Sequence, residues 1–394
     1  MYRALQKKTY TCSFHESQNG HHEQAKGFFA ITLSMKSLNN IQIYHLENYA
    51  YELPAELIAQ EPALKRDGSR LLCVKRATGD ISDSYFFDLP SLLREGDLLV
   101  VNDARVTPAR LYGQKETGGR VEILVLDHPA RPPKNEQETR WCLLKASKRP
   151  KTGSTLLFPD GLIAVVKRLG EHGMVQLRFE GKHSLNYVLK KRGCLPLPPY
   201  IKRDSNNRQS DKDRERYQTI FSRFSGAIAA PTAGLHFTHE LLESLQSRGV
   251  DIVSITLLVG HDTFKPVRVR DIRDHRLGKE AYFVGHHSAN FIDNAKKEGR
   301  RIIAVGTTVV RTLETIFKRK GKIVTDSGTT DLLIYPGFKF QVIDTLITNF
   351  HLPRSSLFFM VAAFAGLDLT TRAYHWAVES KYRFYSYGDA MLIT

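Results

Sequence analysis

A chain of 394 residues with 42% hydrophobic content can bury a sizeable core and divide into two or three domains, which excludes a fibrous or wholly disordered protein. The formal net charge of +16 points to a polyanionic partner, and nucleic acid outranks a membrane because no basic amphipathic helix stands out. Cys12, Cys73, Cys142 and Cys194 form no C-x-x-C pair, so neither a zinc ribbon nor a disulfide framework is indicated, and a cytoplasmic setting is the default.

Residues 1–40 mix His, Gln and Asn with scattered lysines and sustain no hydrophobic period, which predicts a disordered or non-native extension. Met35 stands just before the organised text and reads as the biological start. N-terminal sequencing checks this, since a peptide containing Tyr10 excludes it. From Tyr51 the text tightens. Leu53–Ala59 suggests a short helix, and Leu71–Lys75 and Ile81–Phe87 form a strand-turn-strand pattern about Thr78-Gly79-Asp80. A buried strand then ends in Asn102, Asp103 and Arg105, a polar group that an Asx-turn closed by an ion pair also explains.

Between Tyr112 and Leu195, short segments at 119–126, 140–145, 154–158, 162–168 and 174–179 alternate with turn signals, and no long helical period intervenes. That pattern predicts a small β-barrel or sandwich. Leu195–Ile201 (L-P-L-P-P-Y-I) is extended by proline and marks the return to the first domain. The second half alternates strand and helix over 252–259, 288–297, 301–305, 308–318, 332–335, 342–348, 355–364 and 370–380. The expected architecture is α/β: a mixed-sheet α/β domain made of residues 41–111 and 196–394, with a small β-barrel domain inserted at 112–195. The apolar run Leu357–Ala365 is about half of the roughly 20 residues that span a bilayer, so it predicts a buried helix and no membrane segment.

Strand exits in such folds collect function, and four of them carry small or polar residues: Pro231–His236, Gly260–Phe264, Gly306–Thr308 and Thr348–His351. In A-P-T-A-G-L-H-F-T, Pro231 fixes φ, Gly234 permits close backbone approach, and Thr238 caps a helix that Gly249 stops. A tight turn with a structural histidine explains this stretch alone; four such exits favour one shared pocket. In G-T-T-V-V-R-T-L-E a helix N-terminus with Gly306, Thr307 and Thr308 suits an anionic or hydroxyl ligand, while Arg311 and Glu314 read equally as a surface ion pair.

No H-E-x-x-H, G-x-G-x-x-G or P-loop is present, so no metal site is predicted and acid–base chemistry falls to His236, His351, Asp103, Glu280 and Asp389. Phe237, Phe264, Phe350 and Tyr387 stand beside them as stacking surfaces. Basic clusters at Lys145, Lys148, Arg149 and Lys151, at Lys190, Lys191 and Arg192, at Lys202-Arg203, at Arg214 and Arg216, and over Lys318–Lys322 read either as solvated faces or as a phosphate-tracking surface.

From Tyr51 to Thr394 the text resembles the S-adenosylmethionine:tRNA ribosyltransferase-isomerases of queuosine biosynthesis. The strings that carry the resemblance are L-P-x-E-L-I-A-Q, R-D-x-S-R-L-L, N-D-A-R-V-x-P-A-R-L, T-G-G-R-V-E-I-L, A-A-P-T-A-G-L-H-F-T, V-R-T-L-E, Y-P-G-F, L-I-T-N-F-H-L-P-R-S-S-L and S-Y-G-D-A-M-L-I. The resemblance implies an α/β domain with an inserted β-barrel. It implies transfer and isomerisation of the ribosyl group of S-adenosylmethionine onto 7-aminomethyl-7-deazaguanine at the tRNA wobble position, releasing adenine and methionine and leaving epoxyqueuosine-tRNA. S-adenosylmethionine is then a co-substrate and ribosyl donor, tRNA is the macromolecular partner, and the chain acts as a monomer.

Taken with the strand exits, the catalytic candidates are Asp103, His236 and Glu280. The candidate S-adenosylmethionine contacts are Asn102, Arg105, Pro231, Thr232, Gly234, Phe237, Gly306, Thr307, Thr308, Arg311, Asn349, His351, Tyr387 and Asp389. The RNA contacts are the first two basic clusters. The sequence departs from the family text at His261-Asp262, Leu277-Gly278-Lys279, Val309 and Thr329. Two other readings make different predictions: a non-catalytic tRNA-binding protein releases no adenine, and an S-adenosylmethionine-dependent RNA methyltransferase yields S-adenosylhomocysteine.

Overall fold

Short Leu-, Val- and Ile-rich runs recur along the chain, and their pairing partners are distant in sequence. The computed structural model describes residues 43–126, 138–203, 211–261 and 266–394. Leu46–Thr394 forms one compact unit, and the expectations for residues 1–40 and Met35 lie outside the described residues.

The strands are β1 (Arg70–Val74), β2 (Ile81–Tyr85), β3 (Leu98–Asn102), β4 (Ala104–Val106), β5 (Arg110–Lys115), β6 (Arg120–Val125), β7 (Glu138–Ala146), β8 (Thr155–Leu157), β9 (Ile163–Leu169), β10 (Met174–Glu180), β11 (Phe224–Ala227), β12 (Asp251–Leu257), β13 (Glu280–Val284), β14 (Ile302–Val305), β15 (Asp326–Thr330), β16 (Thr345–Asn349) and β17 (Ala390–Ile393). The helices are α1 (Leu89–Leu92), α2 (Leu185–Arg192), α3 (Asp211–Arg216), α4 (His239–Ser247), α5 (His286–Lys297), α6 (Thr307–Lys320), α7 (Ser356–Ala365) and α8 (Leu367–Glu379).

A nine-stranded mixed sheet runs β15-β13-β12-β3-β14-β16-β17-β1-β2. Its centre, β12-β3-β14-β16, is parallel, and β17 is antiparallel to β16 but parallel to β1. Every position of β3, β14, β16 and β17 is buried, as expected for strands covered on both faces. On one face Leu99, Val101, Ile303, Val305 and Ile347 join Phe86, Phe237 and Leu241 and Leu245 of α4 in one cluster. Helices α5 and α6 pack against β12 and β14.

The inserted module is a closed barrel in the order β10-β7-β6-β5-β8-β9. Alternation sends Leu111, Val121, Ile123, Val175 and Leu177 inward, where Leu185, Val188 and Leu189 of α2 join them. Arg110 and Cys194 exchange both backbone hydrogen bonds, 3.1 and 2.9 Å, so the chain enters and leaves the barrel at one neck. The fold is thus the expected mixed-sheet α/β domain carrying a β-barrel.

The structure differs from the expectation in more than one place: Leu53–Ala59 holds only a 3₁₀ turn, Ala55–Leu57, and β13 and β15 fall outside the expected segments. Residues 332–335 are not a strand; the ladder strand is β15 just before them, and the Leu332 amide turns aside to Thr330 Oγ1 (3.2 Å) while its carbonyl accepts from Arg311 Nε (3.1 Å). Among the described residues no single helix is long and apolar enough to cross a membrane. The apolar pair α7 and α8 bends by 115°, and Phe358, Phe359, Val361 and Phe364 are buried in the core.

Candidate functional site

The parallel strands β3, β14 and β16 carry their C-terminal ends to one edge, and the chain turns there each time. After β14, Gly306 takes φ 90°, which favours glycine, and opens α6. The buried stripe Val309, Val310, Leu313 and Ile316 fixes that helix against the sheet and leaves its N-terminus at the strand edge. After β11, Pro231 leads into a 3₁₀ turn, Thr232–His236, and Thr238 caps α4 by accepting from the Leu241 amide at 3.1 Å.

These turns enclose a cavity of about 70 Å³. Of the expected ligand contacts, Pro231, Thr232, Gly306, Thr307, Thr308, Asn349 and His351 line it. Tyr200, Phe350, Ser355, Tyr385 and Ser386 complete much of the wall, and among the described residues no charged side chain lines it.

Asn102 lies directly behind this lining. Its Nδ2 donates to Leu257 O (3.0 Å) and Thr308 Oγ1 (3.1 Å), and its Oδ1 accepts from the Ala104 and Leu257 amides, both at 3.1 Å. All its polar capacity is spent in the protein, so Asn102 ties β3 and β12 to the first turn of α6. Thr308 accepts from it and keeps its own hydroxyl proton to donate.

His236 is also one layer behind the wall. Asn349 Nδ2 donates to the Tyr385 carbonyl at 3.1 Å, which fixes which end of the amide is nitrogen. The same Nδ2 lies 3.1 Å from His236 Nε2, so that nitrogen accepts, and the proton sits on Nδ1, 2.7 Å from Ser69 Oγ. Burial first, then Arg383 and Arg66, push the His236 pKa down to about 3, so the ring is neutral at pH 7. Phe86 stacks on it at 5.0 Å. Asn349 Oδ1 is left buried with no hydrogen-bond partner. His351 has Nε2 2.8 Å from Thr348 Oγ1, and burial lowers its pKa to about 3 as well.

The other candidates are placed elsewhere. Asp103 accepts from Thr256 Oγ1 (2.6 Å) and Ser254 Oγ (3.1 Å); burial raises its pKa, against the hydrogen bonds and Arg223. Glu280 takes the Gly260 amide (2.7 Å) and the Arg311 guanidinium, and the pair lines a neighbouring cavity of about 20 Å³ that shares Leu357 with the first. Asp389 accepts from the Arg70 and Arg383 amides at 2.9 and 2.8 Å, and Tyr387 donates to Asp213 at 3.0 Å. Gly234 and Phe237 are buried behind the wall, and Arg105 is exposed on β4. Gly260 and His261 are described, but Asp262 and Phe264 lie outside the described residues.

Among the basic candidates, Lys148, Lys151, Lys190 and Lys191 are exposed. Arg149 donates to the Gly170 and Met174 carbonyls, both at 2.8 Å, and Arg192 pairs with Asp160 at 3.1 Å. Among the described residues no three His, Cys, Asp or Glu side chains form a group that could hold a metal.

The sequence reading missed Tyr200 and Tyr385. Their signals were an aromatic residue within the proline-extended return segment and the tyrosines of F-Y-S-Y-G-D.

A family described as queuosine biosynthesis protein matches residues 46–393. A protein of Geobacter sulfurreducens named S-adenosylmethionine:tRNA ribosyltransferase-isomerase is 47% identical over 345 residues, which is 88% of this chain and 98% of that protein. One of the same name from Syntrophomonas wolfei is 46% identical, covering 91% of this chain and 100% of its own. A solved structure titled S-adenosylmethionine tRNA ribosyltransferase, from Thermotoga maritima, shares 37% identity at a TM-score of 0.50 and covers 88% of this chain and 100% of that one.

Proposed function

The chain belongs to the queuosine biosynthesis protein family, and on that premise we propose that it transfers and isomerises the ribosyl group of S-adenosylmethionine onto 7-aminomethyl-7-deazaguanine at the tRNA wobble position. Adenine and methionine leave, epoxyqueuosine-tRNA remains, and the setting is the cytoplasm. The observation that carries this reading is the cavity where three of the strand exits meet, with no charged lining among the described residues and Asn349 Oδ1 buried and unpartnered on its wall. A buried acceptor without a donor costs about 1–3 kcal/mol, which a ligand N–H or O–H offsets on binding. The N-terminus of α6, with the Thr307 and Thr308 amides, suits the methionine carboxylate.

The donor set fits the co-substrate, but the volume does not without movement. About 70 Å³ is several-fold below the roughly 300–1,000 Å³ of ordinary ligand pockets, so the wall of Tyr200, Tyr385 and Leu352 must yield on binding. In this reading His236 acts through Asn349, holding the amide so that Oδ1 faces the ligand. Asp103 fixes the exit of β3, and Glu280 holds Arg311 under the first turns of α6. His351, neutral and on the cavity wall, is a hydrogen-bonding contact.

The test is to incubate the protein with S-adenosylmethionine and tRNA carrying 7-aminomethyl-7-deazaguanine. Free adenine and methionine in step with RNA modification support the reading. S-adenosylhomocysteine, or RNA binding with no adenine released, refutes it.

A further inference from the structure

A trough of about 1290 Å³ lies between the barrel and the segment by which the chain returns from it. Strand register builds one wall. Tyr112 pairs with Glu122, Glu122 with Lys145, and Gln114 with Arg120. The alternation that buries Leu111, Val121 and Ile123 inside the barrel therefore turns these five residues outward. The return segment, Leu197–Pro199 and Ile201–Arg203, forms the other wall.

Among the described residues, five cations and one carboxylate line the trough. Arg110 pairs with Glu122 (3.1 Å) and Arg203 with Asp213 (2.7 Å). Arg120, Lys145 and Lys202 are exposed and have no ion-pair partner among the described residues. Three such charges facing one channel repel each other until an external anion neutralises them.

Tyr200 connects the trough to the inner cavity. It stands between Pro199 and Ile201, which line the trough, yet its own side chain lines the cavity, with its hydroxyl 2.7 Å from Ser386 Oγ and its ring 4.6 Å from that of Tyr385. A polyanion in the trough lies one residue's thickness from the cavity.

The geometry points to this trough as the seat of the RNA strand that flanks the reacting nucleotide. Arg120, Lys145 and Lys202 contact its phosphates, and Tyr200 is the aromatic partition past which the base reaches the cavity. The inference rests on the tRNA reading above and narrows it, because Lys148, Arg149, Lys151 and Lys190–Arg192 do not line the trough.

The test uses an anticodon stem-loop RNA carrying 7-aminomethyl-7-deazaguanine, with binding measured across a potassium chloride series. Replacing Arg120, Lys145 and Lys202 together by alanine lowers the log–log salt slope by about 2–3, the loss of three phosphate contacts, while calorimetric binding of S-adenosylmethionine is unchanged. Lys318→Ala, Lys320→Ala and Lys322→Ala together leave the slope intact. Tyr200→Ala lowers turnover at saturating RNA, and Tyr200→Phe, which keeps the ring, restores most of it. An unchanged slope in the first triple variant, a slope lost in the second, or full turnover by Tyr200→Ala overturns the proposal. Wild-type protein that binds the RNA but releases no adenine defeats the functional reading instead, and the salt slope still locates the strand.

Discussion

The two buried imidazoles make the stability of the α/β domain depend on pH in a way that can be isolated at His236. Its folded pKa of about 3 lies below the usual unfolded value of about 6.5, so between those values only the unfolded chain binds the proton. Stability contributed by the neutral ring is complete above pH 6.5 and is lost as pH falls towards 3. Between pH 7 and pH 5 the loss is about 2 kcal/mol for this one histidine, and it hardly changes if the folded value lies anywhere below about 4. The assay is urea unfolding at pH 7, 6 and 5, comparing the wild-type sequence with His236→Asn. Trp376 lies on α8 and Trp141 in the barrel, so a Trp141→Phe background makes fluorescence report the α/β domain alone. Carboxylates whose pKa values burial raises, such as Asp103, Glu314 and Asp389, are common to both proteins and cancel in the comparison. The wild-type stability should fall more steeply with acid by about 2 kcal/mol over this range. Parallel curves would show that His236 is protonated in the fold, which would undo the tautomer and the role assigned to it through Asn349.

Asn349→Ala removes the unpartnered Oδ1 and should lower kcat/KM for S-adenosylmethionine by roughly 10- to 100-fold, the equivalent of about 1–3 kcal/mol, with the RNA salt slope retained. Glu314 accepts from the Gln341, Val342 and Ile343 amides beneath α6, so Glu314→Gln should destabilise the domain by about 1–3 kcal/mol in urea melts. Asp97 takes Arg301 through both oxygens, at 2.8 and 2.5 Å, and also the Arg94 amide; Asp97→Asn should cost about 3 kcal/mol by the same measurement, and a loss under about 1 kcal/mol would deny the pair its structural role.

The barrel was legible because its strands alternate cleanly, with Val121, Ile123 and Val125 inside and Arg120 and Glu122 outside. The sheet centre was legible for a different reason: β3 and β14 are short continuous apolar runs. β15 was not, because D-S-G-T-T has no apolar residue and owes its place to backbone pairing with β13. The four strand exits could be read locally, since each carries a threonine and three of them a glycine. What they are tied to could not, since Ser69 meets His236 across 167 positions and Asn102 meets Thr308 across 206. Tyr200 escaped notice for the same reason, its importance arising from where the chain re-enters the domain.

The position of β17 bears on how the molecule is assembled. Ala390–Ile393 lies inside the sheet, with β16 on one side and β1 on the other, and the Thr394 amide bonds back to Val74 at 2.9 Å. The first hairpin among the described residues, β1 with β2, therefore has no neighbour to join until residues roughly three hundred positions later arrive. Its apolar face must wait exposed or be shielded by a chaperone, while the barrel, whose pairings are all local to the insert, can close during synthesis. Deleting Ala390–Ile393 should thus leave a folded barrel attached to a domain that cannot complete its sheet, and the accumulating species should be an aggregate rather than a slightly weakened enzyme.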